Sequence, residues 1–531
     1  MKQEPSPTPT NRAKLYQLVL FPMNNGATNV YYILTLNFIA YYASGVLGLL
    51  VAFATTMVTV MRLFDAVTDP IIGALIDKTS TRWGKFRPFM VLGNAIMILS
   101  SILLYFGTRV IPAGASTVKY VSFVLFYALY VIGYTFQTAC TRSGQTCLTN
   151  DPNQRPLFTI FNTVASLIGM GLVQFLAPIL QRPLGGYNST GFYDVMVPLC
   201  ILVSGVMTVL AVIGIAGKDR PEFWGVGAKQ EKVELREYAA ILKENGELRR
   251  LMVAGAGCKF AFSIATSMAV LCMLYGGMMG NYDGLYLPMM ILGYVFSVPF
   301  FLLTVRTAQR QGQKASLMRY VTVALVMYVG VTVLLLLWQE GNPAFRLSLF
   351  SNGRLSVNLY TIAFILFFGI GYGAYYSTAD MPIPVVADCS DYETYRSGKY
   401  VPGILGTLFS LVDKLVSSLG STVVGLAVGL IGFTEVLPDA SVAYVPGMKG
   451  VVIVLFCLVP MLAWLATLWA MKGYTLTGAR MEEIQAVNAV RKDAISRGMS
   501  LQDAMATWQT MDQVPPRFRR PADQTKKEGA S

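Results

Sequence analysis

Histidine is missing from all 531 residues. That removes imidazole from every role as general base, proton shuttle or metal ligand. Charge is scarce too: Asp, Glu, Lys and Arg make up 13% of the chain, against about 25% in an ordinary soluble domain. The seven cysteines include no Cys-x-x-Cys pair, and most sit in apolar runs, among them Cys140, Cys147, Cys200, Cys258, Cys272 and Cys457. They read as small packing residues rather than disulfides or metal ligands. No large loop carries a cluster of metal-binding acids, so a membrane enzyme, for example one working on lipid-linked sugars, is a poor reading and no cofactor is expected. The formal net charge of +13 invites a nucleic-acid partner. The Lys and Arg instead collect on loops and tails of one membrane side, so none is expected. Met1–Thr10 is polar with three prolines and does not read as a cleavable signal peptide.

What the chain does have is apolar length. It is 54% hydrophobic, with long apolar runs along nearly all of it. The expected fold is an all-α membrane protein of twelve transmembrane helices in two six-helix bundles. The predicted organisation is a tail over 1–18, an N-terminal bundle over 19–217, a central loop over 218–250, a C-terminal bundle over 251–472 and a tail over 473–531. Both termini are placed on the cytoplasmic side of a cell membrane, because the opposite loops keep little more than Arg109, Lys119, Arg182, Arg346, Arg354 and Lys449. The central loop includes a polar helical stretch, Val233–Lys243. In the last tail, Met481, Ile484, Val487 and Val490 share a helical face, which predicts an amphipathic helix on the membrane or on the bundle. Its Pro-rich basic end, Val514–Ser531, is expected to be disordered.

One segment carries chemistry. It reads Arg62-Leu63-Phe64-Asp65-Ala66-Val67-Thr68-Asp69-Pro70, and ends in Trp83-Gly84-Lys85-Phe86-Arg87-Pro88. An ionised acid at the bilayer centre costs about 2.5–3.5 kcal/mol on insertion scales, so such residues face a polar interior. Asp65 and Asp69, four apart, lie on one helical face with Thr68 beside them. Three oxygen-bearing side chains on one stripe suit a hard cation or a proton. The alternative is that the two acids only neutralise Arg62 and Lys414.

The stretch Arg62–Pro88 resembles the glycoside–pentoside–hexuronide:cation symporters, the melibiose permease-like family of the major facilitator superfamily. The pattern is aromatic-Asp-Ala-x-x-Asp-Pro followed by Trp-Gly-Lys-Phe-Arg-Pro. A second match is Val386-Ala387-Asp388-Cys389-Ser390-Asp391-Tyr392, then Lys414. The resemblance implies two parallel six-helix repeats and a cation site at Asp65, Asp69 and Thr135, with Thr68 where the family has Asn. A hydroxyl is a weaker ligand than an amide carbonyl, which leaves Na⁺ against H⁺ open.

The family's sugar site is altered. Asn24–Asn29 holds no acid, Thr138 stands where the fourth helix has Asp, and Arg142 stands where it has Trp. A buried guanidinium suits bidentate carboxylate recognition. The expected substrate is therefore a sugar or glycoside, an anionic one such as a uronide being what the guanidinium suits. Arg142 would hold its charge, with Asn29, Gln137 and Thr138 on its hydroxyls; Tyr375, Asp380 and Lys414 complete the candidate set. Arg142 pairing with an acid such as Asp380 is the alternative. Lys259 either contacts substrate or snorkels to the surface. Asp380 precedes Met381-Pro382-Ile383-Pro384, where a helix must break, so hinge and substrate roles both stay open. Tyr372 and Tyr376, with Tyr31 and Tyr32, either stack on sugar or simply pack.

The family also closes its inner face with charge pairs. That role falls here on Asp388 and Asp391, with Lys85, Arg87 and Arg306 as partners and Glu393, Arg396 and Lys399 nearby. The expected function is cation-coupled symport by alternating access, by a monomer in the inner membrane, not an enzyme. A lysolipid or amphiphile symporter of the same fold, or an uncoupled sugar facilitator, is the alternative.

Overall fold

A computed structural model describes residues 12–149, 154–223, 241–351, 354–398 and 402–518. Met1–Thr10, nearly all of Val233–Lys243, Lys399 and the basic end past 518 lie outside the described residues. The spans run Met23–Tyr41, Val51–Lys78, Arg87–Tyr105, Ser116–Leu148, Gln154–Gln181 and Thr190–Ile215 in the first half. In the second half they run Gly246–Ala265 with its continuation, Tyr282–Gln311, Gln313–Leu337, Leu359–Thr378, Pro402–Gly429 and Met448–Lys472.

Ten helices among the described residues are long and apolar enough to cross a membrane. Gly246–Ala265 with Met268–Met278, bent by 46°, makes an eleventh. The first span is the twelfth by its place. It carries Asn24, Asn25, Asn29 and Asn37, and most of its residues are buried against the fifth and sixth spans. A helix wrapped by protein rather than lipid has no need of an apolar surface. At its end it widens into a π-helical turn, Tyr42–Val46.

Along the middle of the seam between the halves, the second span packs on the eleventh. Thr59 Oγ1 donates to the Ser418 carbonyl and pairs with Thr422 Oγ1, both at 2.8 Å. Gly425 lets the two backbones approach, for a Cβ there would lie 2.0 Å from Thr55 Oγ1. On the face away from the termini, more bonds cross between the halves. Tyr41 donates to the Pro438 carbonyl at 2.7 Å, Asn188 to that of Leu437 at 2.9 Å, and Gln181 to Asp283 at 2.7 Å. This face is closed. Toward the face bearing the tails the cavity is open: the side chain of Arg142, inside the fourth span, is 63% exposed, and that of Asp380, at the break of the tenth, is 72% exposed.

The tenth span breaks where the two prolines demand it. A second helix, Pro382–Ser397, continues below. The tail helix Gly478–Ser496 buries Met481, Ile484, Val487 and Val490 and packs on that continuation, so it lies on the bundle. Arg491 fixes the joint, donating to the carbonyls of Tyr395 at 2.7 Å and Trp508 at 2.8 Å.

Candidate functional site

The centre of the site follows from one helical stripe. Positions 65, 68 and 69 are one turn apart, so the second span presents them together, toward Thr135 on the fourth span and Lys414 on the eleventh. Thr135 Oγ1 donates to Asp65 Oδ1 at 2.8 Å, and Thr68 Oγ1 lies 3.2 Å from that hydroxyl. The Lys414 ammonium sits between the acids, 2.8 Å from Asp65 Oδ2 and 2.7 Å from Asp69 Oδ2. Asp65 is buried, and the side chain of Asp69 is one-quarter exposed. Arg62 lies 3.6 Å from Asp65, with its guanidinium 4.5 Å from the centre of the Tyr32 ring and 5.5 Å from that of Tyr134. Two carboxylates and two hydroxyls make an oxygen-rich set that suits a hard monovalent cation. The ammonium between the two acids comes from the other half of the chain.

Lys414 is thus at the carboxylate pair rather than on a sugar wall. Arg142 lies 3.7 Å from Asp69, not against Asp380. Asp380 instead contacts Lys259, whose ammonium is also 3.9 Å from Asp413.

The proposed hydroxyl contacts divide by helical face. Thr135, Thr138 and Arg142 are three and four apart and share the cavity side. Gln137 is about 200° round from Thr135; it is fully buried and donates to the Met90 carbonyl at 2.8 Å. Thr138 donates to the Thr135 carbonyl at 3.1 Å. Asn29 donates to its own helix, to the Asn25 carbonyl at 2.8 Å and the Asn25 side chain at 3.0 Å. Tyr375 is buried in the second half among Tyr328, Trp464 and Phe262. Tyr372 is buried as well, while Tyr376, only partly buried, stacks against it. Tyr31 is buried, whereas Tyr32 lines a cleft with Arg62, Asp65, Tyr127, Tyr130 and Tyr134.

The basic loop after the second span has an anchor in its own half. Asp219, buried just past the sixth span, accepts from the backbone N–H of Lys85 at 2.8 Å and those of Phe86 and Arg87 at 3.0 Å. Arg87 Nε is 3.5 Å from the same carboxylate. Gly84 (φ 110°) leaves room for it: a Cβ there would lie 2.2 Å from Asp219 Oδ2. Arg87 is therefore paired within the first half, not with Asp388 or Asp391. Arg306 is exposed. The Asp391 carbonyl accepts from Asn488 of the tail at 2.8 Å, and Glu393 is buried, accepting from Asn245 and Arg396, each at 2.9 Å.

Asp413 and Asp219 escaped the sequence reading. Asp413 is masked by the motif lysine beside it, although an acid inside an apolar span is itself a signal. Asp219 looks like ordinary loop charge.

Residues 21–478 match the model of a family described as MFS/sugar transport protein. The chain is 24% identical over 476 residues to a putative glycoside/cation symporter, YagG, of Escherichia coli strain K12, covering 88% of this chain and 93% of that protein. It is 26% identical to a glucuronide carrier protein homolog of the same strain, covering 78% and 84%. Among solved structures, the nucleoside transporter NupG superposes with a TM-score of 0.56 at 12% identity, over 87% of this chain and 100% of that one. A bacterial homologue of the iron transporter ferroportin gives 0.54 at 13% identity, over 86% and 98%. At such identities these structures speak for the fold alone.

Proposed function

The chain belongs to the MFS/sugar transport protein family, a family of membrane transporters and not enzymes, and we propose that it carries a glycoside inward, coupled to a monovalent cation taken up at Asp65 and Asp69. The relatives named as glycoside/cation symporter and glucuronide carrier support a sugar and cation symporter. The observation that carries the coupling is Lys414. It belongs to the second half, yet its ammonium lies between two acids of the first, 2.8 and 2.7 Å away.

An arriving cation takes the same oxygens, with Thr68 and Thr135 completing its shell. Lys414 is then released, the electrostatic tie between the second and eleventh spans is lost, and the halves are free to rock about the midplane. Coupling requires that cation and glycoside each raise the other's affinity by the same factor. The face bearing the tails is the cytoplasmic one in this reading, so the structure corresponds to the inward-open state of a monomer.

Arg142 is the anchor for an anionic substrate. It is mostly exposed to the cavity, and its 3.7 Å approach to Asp69 is loose enough to yield to a carboxylate. Purified protein in proteoliposomes, offered methyl β-D-glucuronide and methyl β-D-glucoside under a Na⁺ or a proton gradient, tests the proposal. Wild type accumulates the glucuronide under one gradient, and Asp65→Asn with Asp69→Asn abolishes accumulation but keeps exchange. Accumulation that survives the double substitution would sink the symport reading.

A further inference from the structure

We infer that Asp380 and Asp413, with Lys259 between them, are the contacts the second half makes to the substrate's hydroxyl groups. This rests on the carrier reading above. Three spans converge here: Lys259 comes from the seventh, Asp380 from the break in the tenth, and Asp413 from the eleventh. Lys259 Nζ touches the Asp380 carboxylate and is 3.9 Å from Asp413 Oδ1. One acid neutralises one ammonium, so the second carboxylate is more than Lys259 requires. Asp413 Oδ1 is buried and accepts no hydrogen bond. A carboxylate oxygen with no hydrogen bond, whose one near cation stands 3.9 Å away, is costly to bury, and an arriving hydroxyl would relieve that cost.

The surroundings point the same way. Asp413 directly precedes Lys414, whose ammonium lies on Asp65 and Asp69. Along the eleventh span, the triad is therefore next to the carboxylate pair. A pyranose offers neighbouring hydroxyls as donors, which a carboxylate accepts through two oxygens, and an ammonium donates to hydroxyl or ring oxygens. The first half has committed its two acids to Lys414. On its wall, Thr138 and Arg142 remain for the substrate. Hydroxyl acceptors then fall to the second half, as a ligand held between two rocking bundles requires contacts from both.

Uptake kinetics for methyl β-D-glucuronide and methyl β-D-glucoside separate the roles. Asp413→Asn and Asp380→Asn should each raise KM for both glycosides about tenfold, the size of one charged hydrogen bond. The Kd for the coupling cation should stay within about twofold, because the oxygens of Asp65 and Asp69 are untouched. Asp413→Glu should recover most of the loss. Arg142→Gln should raise KM for the glucuronide alone. As a control for misfolding, alkylation of an Asp413→Cys variant should be slowed by glycoside and unaffected by mannitol. Unchanged KM in Asp413→Asn and Asp380→Asn, or alkylation indifferent to glycoside, overturns this assignment while leaving the carrier reading in place. Wild type that transports neither glycoside overturns both.

Discussion

Replacing Lys414 by Gln removes the ammonium that, in the proposed symport, competes with the coupling cation. At 2.7–2.8 Å from two carboxylate oxygens and an effective dielectric of about 20, each contact is worth roughly 6 kcal/mol before desolvation. Taking an ammonium and two carboxylates out of water offsets most of that sum. A residue of about 2 kcal/mol is what an entering cation has to match when it displaces Lys414. Without the lysine only the looser contacts of Arg62 and Arg142, at 3.6 and 3.7 Å, compete for the two acids, and the cation's Kd should fall about 30-fold. The assay is calorimetric titration of Na⁺ into purified wild type and Lys414→Gln without substrate. If the coupling ion is a proton, the same substitution should raise the proton affinity of the pair instead. Weaker or unchanged ion affinity in the variant would refute the reasoning, because the ammonium would then be supporting the site rather than occupying it.

Two further outcomes follow from the packing. Gly425→Leu drives a side chain into Thr55, so the seam between the second and eleventh spans should part. In a background carrying Thr59→Cys, labelling by an impermeant maleimide from outside the cell should rise about tenfold. The native cysteines are all buried and leave a low background, and unchanged labelling would mean the seam is not the outer closure. Asp219→Ala strips the acceptor from three backbone N–H groups at the start of the third span. It should cost about 2–4 kcal/mol of stability, several times the loss from Lys85→Ala, which leaves those bonds in place. Thermal denaturation of the two variants in detergent gives the comparison, and equal melting temperatures would contradict it.

What could be read from the sequence is what belongs to a single helix. The stripe of Asp65, Thr68 and Asp69 is a matter of spacing, and so is the apolar face that seats the tail helix. Relations between helices were not readable. Arg142 has Asp69 beside it because the fourth span crosses the second at that level. Tyr375 is buried and Tyr376 is not, because Tyr328 and Trp464 of other spans close over one ring. Gln137 was open to better reading, since its angle from Thr135 already puts it on the opposite face. The first span falls short in apolar character for the same reason it matters: Asn24 and Asn25 bond to the fourth and fifth spans.

Charge accounting joins these pieces. In the first half, Arg62 and Arg142 balance Asp65 and Asp69; in the second, Lys259 and Lys414 balance Asp380 and Asp413. Each set of four is neutral by itself, and the one displaced member is Lys414, which lies against acids of the opposite half. A single bound cation leaves the eight with one surplus positive charge in a medium that resists it. A monoanionic glycoside on Arg142 restores neutrality and a neutral glycoside does not. Under the symport proposed above, the loaded carrier that moves most readily is the one holding both cation and anion, which ties the charge of the substrate to the strength of ion coupling.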